Sequence, residues 1–582
     1  MLASYVLSRT LVPTLANYWL KAHTPGGHAD AKRAGVFTRA QRWIDGRFVA
    51  LRNAYRATLS QAVANRRLFI AIFLAGCAAS LVLARWVGED FFPEVDGGQF
   101  KLHLRAPTGT RIEETAALAD RVEDEVRRLI PARELSSIID NIGLPYSGIN
   151  LSYSTSAPIG AGDADILVAL NSEHHPTADY IHDLRVRLPK AFPGTLFSFV
   201  PSDIVTQILN FGLPAPIDVQ VVGRDLQGNR RFANALVGQM MHVPGITDLR
   251  VHQTFNQPGL HLDVDRTRAE ELGITQRDVA TNLLISLSGS SQTAPSFWLN
   301  PSTGVSYPVA TQMPQYRIDS LQSLGNIPVA AGNGAHQQVL QGLASISRDV
   351  NMSVVSHRDA QPVLDIFGSV QRRDLGSVAS DLQSILDASR KNLPRGSQIM
   401  VRGQIETMTS SFRGLIAGLA LAIVLVYLLI VVNFQSWLDP FIIVSALPAA
   451  LAGIVWLLFL SHTTFNVPSL TGAIMCMGVA TANSILVVSF AKDALSRGQN
   501  AVEAAIEAGF TRFRPVLMTA LAMIIGMVPM ALGMGEGGEQ NAPLGRAVIG
   551  GLTLATIATL FFVPCVFAWL HGTRTQTADA KH

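Results

Sequence analysis

The chain alternates between long apolar runs and one large polar block. Runs of roughly 20 apolar residues, the length needed to cross a bilayer as a helix, fall at 2–20, 68–87, 414–432, 440–460, 470–490, 515–533 and 546–570. The first is the least apolar, because it carries Arg9 and Asn17. Between the second and third runs lies the polar block 88–411. The pattern predicts two membrane segments, a large extramembrane insert, then five more segments.

Charge fixes the orientation. Segment 21–67 carries ten Lys/Arg against two Asp, and 491–514 carries Lys492, Arg497, Arg512 and Arg514. The loop 534–545 carries Glu536 and Glu539 and no Lys or Arg. The positive-inside rule places the basic segments in the cytoplasm. The block 88–411 is then on the opposite side. The first segment must start outside, which predicts that something normally precedes Met1. Within 37–59, Ile44, Phe48, Leu51, Tyr55 and Leu59 recur at helical spacing, with Arg42, Arg47, Arg52 and Arg56 mostly off that face. This reads as a basic amphipathic helix in the membrane interface, or else a solvated linker helix.

The polar block reads as two split βαβ modules. Residues 99–106 alternate apolar and polar, as a half-buried strand does. Thr110 and Glu113 have capping-box spacing. A helix follows to Pro131, then a strand at 135–140, a Gly/Ser/Pro-rich loop at 143–163, a strand at 164–170, a helix at 177–191 and a strand at 195–200. That order is β-α-β-β-α-β, the ferredoxin-like pattern. It restarts with a strand at 216–222, a helix at 226–242 and strands at 246–252 and 259–265. It stalls over 274–350, then resumes with a strand at 363–368, a helix at 375–393 and a strand at 397–402. An interruption of that length carries its own structure or function. The expected fold class is an α+β membrane protein: a transmembrane helix bundle bearing a large insert of split βαβ modules.

Composition supports this and removes other classes. Hydrophobic residues make up 48% and charged residues 15%, against about 25% charged in a soluble domain. A net charge of +3 offers no case for nucleic acid. Lys occurs seven times and never follows Gly, so the phosphate loop of ATP-driven pumps is absent. Cys77, Cys476 and Cys565 lie in apolar runs and read as core residues. There is no His-Glu-x-x-His, Cys-x-x-Cys or Gly-x-Ser-x-Gly, so no enzyme chemistry, cofactor or metal site is expected. The pair His174–His175 reads as solvated loop.

Several motifs, in order and at these distances, carry a resemblance. They are Phe91-Phe-Pro-Glu-Val-Asp-Gly-Gly-Gln-Phe100, Ala106-Pro-Thr-Gly-Thr-Arg111, Asn433-Phe-Gln-Ser-Trp437, Arg512-Phe-Arg-Pro-Val-Leu-Met-Thr519 and Arg546-Ala-Val-Ile-Gly-Gly-Leu552. Over nearly its whole length the chain resembles the C-terminal half of resistance-nodulation-division efflux permeases, of the hydrophobe/amphiphile (AcrB-like) type. The resemblance implies a sixth-span-like helix at 1–20, a cytoplasmic basic helix and linker at 21–67 and a seventh span at 68–87. It implies a first periplasmic porter subdomain at 88–223 and a second at 224–273 and 350–405. A docking subdomain at 274–349, a five-helix bundle at 412–570 and a cytoplasmic tail at 571–582 complete it.

The resemblance further implies a proton antiporter in the Gram-negative inner membrane, a homotrimer that joins a periplasmic adaptor and an outer-membrane channel. A missing N-terminal half, lipid and a small-molecule substrate would be its other partners. The main expectation is export of amphiphilic organic compounds, because 89–223 contains no Met to bind soft Cu(I) or Ag(I). Expected cleft residues are Tyr146, Ile149, Tyr153, Phe197, Phe199, Ile217 and Val219, some of which must be core because strands alternate faces. Alternatives are a non-transporting half-permease scaffold, a heavy-metal exporter and a protein-export accessory. For proton coupling, Ala482 stands where the resembled family has a Lys. Lys492, ten residues on, lies about 15 Å away along the helix. No Asp, Glu, Lys or His lies within 470–490 or 515–533. Arg512, Thr519 and Asn483 remain as coupling candidates, with Arg512 either a fixed counter-charge or a positive-inside anchor.

Overall fold

A computed structural model describes residues 2–19, 36–145, 154–291, 295–332, 336–535 and 537–579. Two short helices, α1 (Leu2–Arg9) and α2 (Leu11–Trp19), precede a long helix α3 (Val36–Ala64) and α4 (Arg66–Val82). The expected first span is thus not one helix. Pro13 has no N–H for the carbonyl of Arg9, and its ring crowds that carbonyl, so the chain breaks at Thr10.

The first module contains β1 (Gln99–Arg105), α5 (Ile112–Leu129), β2 (Leu135–Ile142), β3 (Asp163–Leu170), α6 (Thr177–Ala191) and β4 (Leu196–Val200). Its sheet has the antiparallel order β2-β3-β1-β4 that a split βαβ unit requires. Phe100, Leu102 and Leu104 point from β1 into a core with Leu118, Val122, Leu184 and Leu188 of the two helices. The capping box does not form. Thr110 Oγ1 donates to Pro107 O (2.6 Å), and Arg111 is the N-cap residue.

A short helix α7 (Ile204–Leu209) leads to the second module. This contains β5 (Ile217–Val222), α8 (Leu226–Met240) and β6 (Ile246–Val251), then an insertion. The insertion carries β7 (Gln257–Val264), α9 (Arg266–Glu271), α10 (Gln276–Ser288), β8 (Ser296–Leu299), β9 (Ser306–Val309), α11 (Leu321–Gly325), β10 (Pro328–Ala330), β11 (Gln337–Val339) and β12 (Ala344–Asn351). After β13 (Ser356–Arg358), the module resumes with β14 (Gln361–Val370), α12 (Leu375–Ser389) and β15 (Gln398–Gly403). β14 pairs with both β5 and β6, and β15 with β5, which repeats the first module's order. Two expectations need correction. The strand at 259–265 pairs with β12, outside the second sheet, so the interruption begins before residue 274. β5 pairs with β14 and β15, so the second module begins before residue 224.

The membrane part follows as α13 (Gln404–Phe434), α14 (Leu438–Val444), α15 (Leu447–Leu460), α16 (Val467–Ser496), α17 (Ala501–Ala531), α18 (Ala542–Ile557) and α19 (Val563–Asp579). Six stretches among the described residues are long and apolar enough to cross a membrane: Arg66–Trp86, Gln404–Phe434, Leu438–Leu460, Val467–Ser496, Ala501–Ala531 and Ala542–Gly572. α15 and α18 cross at Gly453 and Gly550. A Cβ on Gly453 would lie 2.2 Å from the Gly550 carbonyl oxygen, so only glycine permits the approach. A π-helical turn, Ala558–Phe562, joins α18 to α19.

The basic helix α3 does more than lie in an interface. Tyr55, Leu59 and Val63 are buried in the bundle core. The Tyr55 ring stacks on Phe513 at 4.6 Å and its hydroxyl donates to Leu560 O at 2.7 Å. Arg52 and Arg56 both lie over the Phe510 ring. The helical face predicted from spacing therefore docks in part on protein, while Leu51 stays exposed.

Candidate functional site

Both faces of β1 are buried over Leu102–Arg105, although its alternation reads as half-buried. Alternation turns Lys101, His103 and Arg105 away from the helices, and antiparallel pairing sets His103 opposite Asp165 and Arg105 opposite Asp163. Lys101 Nζ lies 3.2 Å from Asp165, His103 Nδ1 2.7 Å from Asp165 Oδ1, and Arg105 Nε 2.7 Å from Asp163 Oδ1. His103 Nε2 is buried without a hydrogen-bond partner among the described residues, 3.8 Å from Asp163. Burial raises the Asp165 carboxyl, but the bonds and charges of His103 and Lys101 outweigh it and hold the group low.

The second module closes over this face. Arg105 donates to His252 O at 3.0 Å. Arg185 on α6 forks onto Asp248 of β6 at 2.9 and 2.6 Å, and Asp248 also accepts the Phe199 backbone N–H. His252 is buried beside Arg105 and Arg250. Desolvation and those two cations push it down to about 3, so it is neutral. On the second sheet Gln220 Nε2 donates to Asp218 Oδ2 (2.9 Å) and Asp365 Oδ1 (3.0 Å), and Gln253 donates to Asp365 Oδ2 (2.7 Å). The two modules thus enclose a polar seam of carboxylates, histidines and arginines.

Those of the expected apolar cleft residues that are described pack into the module cores. Ile217 and Val219 are fully buried in the second module's core, and Phe199 is buried in the first. Each sits on the face its helices cover. Phe197 is half-buried against the first core. Tyr146, Ile149 and Tyr153 lie outside the described residues. Sequence reasoning passed over Lys101, His103, Arg105, Asp163 and Asp165. The signal was there: two neighbouring strands carry opposite charges on the face that should be solvated. Among the described residues no three His, Cys, Asp or Glu converge as a metal site. His175 is held by Glu134, with Nδ1 2.9 Å from Oε1 and the backbone N–H donating to Oε2 at 3.0 Å.

In the bundle, two of the three coupling candidates meet. Thr519 Oγ1 donates to Asn483 Oδ1 at 3.1 Å. Arg512 reaches neither of them and instead lies over the Phe490 ring at 5.1 Å. Two helical turns separate Arg512 from Thr519, about 10 Å along the axis. Ser484 and Thr559 share a fully buried hydrogen bond of 2.9 Å between α16 and the π-helical turn. Lys492 forms an ion pair of 2.9 Å with buried Asp439 on α14 and also donates to Phe434 O. His571 Nε2 lies 3.3 Å from the other Asp439 oxygen.

Comparison with known proteins agrees with this architecture. The sequence profile of the AcrB/AcrD/AcrF family matches residues 1–571. Protein HelA of Legionella pneumophila is 25% identical over 99% of this chain and 53% of its own length. The nickel and cobalt resistance protein CnrA of Cupriavidus metallidurans is 26% identical over 97% of this chain and 50% of its own length. The multidrug resistance protein MdtC of Proteus mirabilis is 24% identical over 100% of this chain and 53% of its own length. The X-ray crystal structure of a heavy metal efflux pump, crystal form II, superposes with a TM-score of 0.74 at 25% identity, covering 90% of this chain and 52% of that chain. The chain spans about half the length of the curated relatives it matches.

Proposed function

We propose that this chain, which belongs to the AcrB/AcrD/AcrF family of resistance-nodulation-division permeases, forms half of a transporter that exports divalent transition-metal cations. The chain is a multi-pass inner-membrane protein with 88–411 on the periplasmic side. The observation that carries the cargo is the likeness over nearly the whole chain to the nickel and cobalt resistance protein CnrA, with which the polar seam between the periplasmic sheets is compatible. His103, Asp163 and Asp165 offer nitrogen and oxygen donors, which suit borderline ions such as Ni, Co or Zn. The missing methionines argue only against soft monovalent cargo. Of the described apolar candidates for an amphiphile cleft, Phe199, Ile217 and Val219 are in the module cores. The names of CnrA and of the solved pump support the same cargo.

The seam is no resident metal cage. Its carboxylates are already paired with Lys101, His103 and Arg105. A cation entering must displace the Lys101 ammonium or a histidine proton. Weak, exchangeable binding suits an ion that has to leave again. The working assembly on this reading is a trimer with the complementary half, a periplasmic adaptor and an outer-membrane channel, driven by proton antiport. MdtC supports the rival amphiphile cargo.

The test is tolerance of cells expressing the chain with a complementary half, challenged with Ni, Co, Zn and Cd salts and separately with acriflavine and detergents. Metal tolerance that falls in Asp165→Asn, with dye tolerance unchanged, is expected. Dye tolerance without any metal effect would return the cargo to the amphiphile class. Neither effect would favour a scaffold.

A further inference from the structure

Two buried polar atoms in the second sheet have no hydrogen-bond partner among the described residues and belong to residues directly opposite one another. Asp218 on β5 is fully buried. Its Oδ2 accepts from Gln220, while Oδ1 accepts no hydrogen bond among the described residues. Arg402 on β15 is its direct cross-strand neighbour. Such neighbours share a sheet face, with Cβ atoms about 4.5–5.5 Å apart. The Arg402 Nε is also buried and donates to nothing among the described residues. Its terminal nitrogen instead donates to both Glu406 oxygens, at 2.8 and 2.7 Å. Glu406 lies on the first turn of α13, a membrane-spanning helix.

No linker separates this sheet from that helix. β15 ends at Gly403 and α13 starts at Gln404. Gly403 has φ +80°, and a Cβ there would lie 2.4 Å from Pro216 O. Gln404 N donates to that same oxygen at 2.9 Å. The residue before Asp218's neighbour Ile217 therefore pins the start of the transmembrane helix to β5.

We propose that Arg402 is a latch that exchanges Glu406 for Asp218, so that the charge state of the second sheet is passed to the first turn of α13. The charged groups around Asp218 are Asp365 on β14 and Arg402 on β15. Beyond them lie Arg358 on β13, which donates to Gln220 Oε1 at 2.8 Å, and Glu406 past Arg402. Burial and the Asp365 charge push the Asp218 carboxyl up to about 8, against the pull of Gln220 and Arg402. A neutral Asp218 leaves Arg402 on Glu406, which is the observed arrangement. When Asp218 gives its proton to water, its carboxylate attracts the guanidinium, and the two unpartnered atoms satisfy one another. Glu406 is then released toward an open groove of about 350 Å³ that it lines with Gln383, Thr409 and Arg413.

The experiment is hydrogen–deuterium exchange of the full chain in lipid nanodiscs, followed on peptides covering 404–413 and corrected for the intrinsic pH dependence of exchange. The wild type is expected to exchange roughly twofold faster at about pH 9.5 than at about pH 6.5, as loss of one i,i+4 ion pair predicts. Asp218→Asn, neutral and of equal size, is expected to hold the slow rate at both. Glu406→Gln is expected to show the fast rate at both, which keeps the test valid should the first variant fold poorly. A pH response in Asp218→Asn equal to the wild type's, or a Glu406→Gln rate unchanged at low pH, would overturn the latch.

Discussion

Replacing Asp218 by Asn should change how the second module's stability depends on pH. The native carboxyl is pushed up to about 8, whereas a free Asp titrates near 3.9. Between roughly pH 4 and 8 the unfolded chain has lost this proton and the native sheet retains it. The native state then binds more protons, so its stability falls as pH rises through that window and levels off above about 8. At about 1.4 kcal/mol per unit, four units set an upper limit on the order of 5 kcal/mol. Arg402 reduces it by capturing the ionised group. Asn carries no proton to lose and can still accept from Gln220. Opening of β5 can be read from native-state hydrogen exchange of peptides covering 217–222, between about pH 5 and pH 9. The protection of Asp218→Asn relative to wild type should grow by more than about tenfold across that range. A ratio that stays constant with pH would show that Asp218 is ionised in the native sheet at neutral pH.

Packing and hydrogen bonding in the bundle give further expectations. Gly453→Ala would place a methyl against the Gly550 backbone, which costs about 1–3 kcal/mol and should lower the melting temperature of the membrane part. Gly478→Ala, with nothing within 4 Å of the new Cβ, should be neutral or stabilising by under about 1 kcal/mol. Tyr55→Phe strands the Leu560 carbonyl and should cost about 1 kcal/mol, seen as faster proteolysis within 36–64. A double-mutant cycle on Ser484→Ala and Thr559→Ala, scored by thermal unfolding, should return a coupling of about 0.6 kcal/mol, the mean for buried hydrogen bonds between membrane helices.

Local pattern was enough for much of this fold, because periodicity reports which face of an element is covered. The strand at 99–106 and the helices around it follow directly from alternation and helical spacing. What alternation does not report is the partner. Strand 257–264 alternates as any half-buried strand does, yet it pairs with 344–351, some 80 residues away. The polar face of β1 failed for a related reason: a charged face reads as solvated until a second sheet is known to cover it. The opposed charges of Arg105 and Asp163 were the available clue. The capping box failed because the Thr110 hydroxyl is already spent on the Pro107 turn, which the spacing rule does not consider. Pro13 was legible as a break, and an apolar-run criterion alone overrode it.

The distribution of polar groups along the spans limits how protons could move through this half. Among the described residues, side-chain contacts between its spans include Asn483 with Thr519, Ser484 with Thr559 and Trp456 with Ser80, none of which titrates near neutral pH. Among the described residues of these spans, the Asp, Glu, Lys, Arg and His side chains lie toward the ends. Asp439, Lys492 and His571 meet at the cytoplasmic end. At the periplasmic end Arg546 donates to Thr463 Oγ1 and Ala531 O. A proton entering at one end finds hydroxyls and an amide in the middle, able to pass a hydrogen bond along but unable to hold the charge. Arg512 does not alter this, because a guanidinium stays protonated and here it rests on Phe490. On the proton-antiport reading proposed above, an acid that stores the proton in mid-membrane belongs on helices packed against α16 and α17.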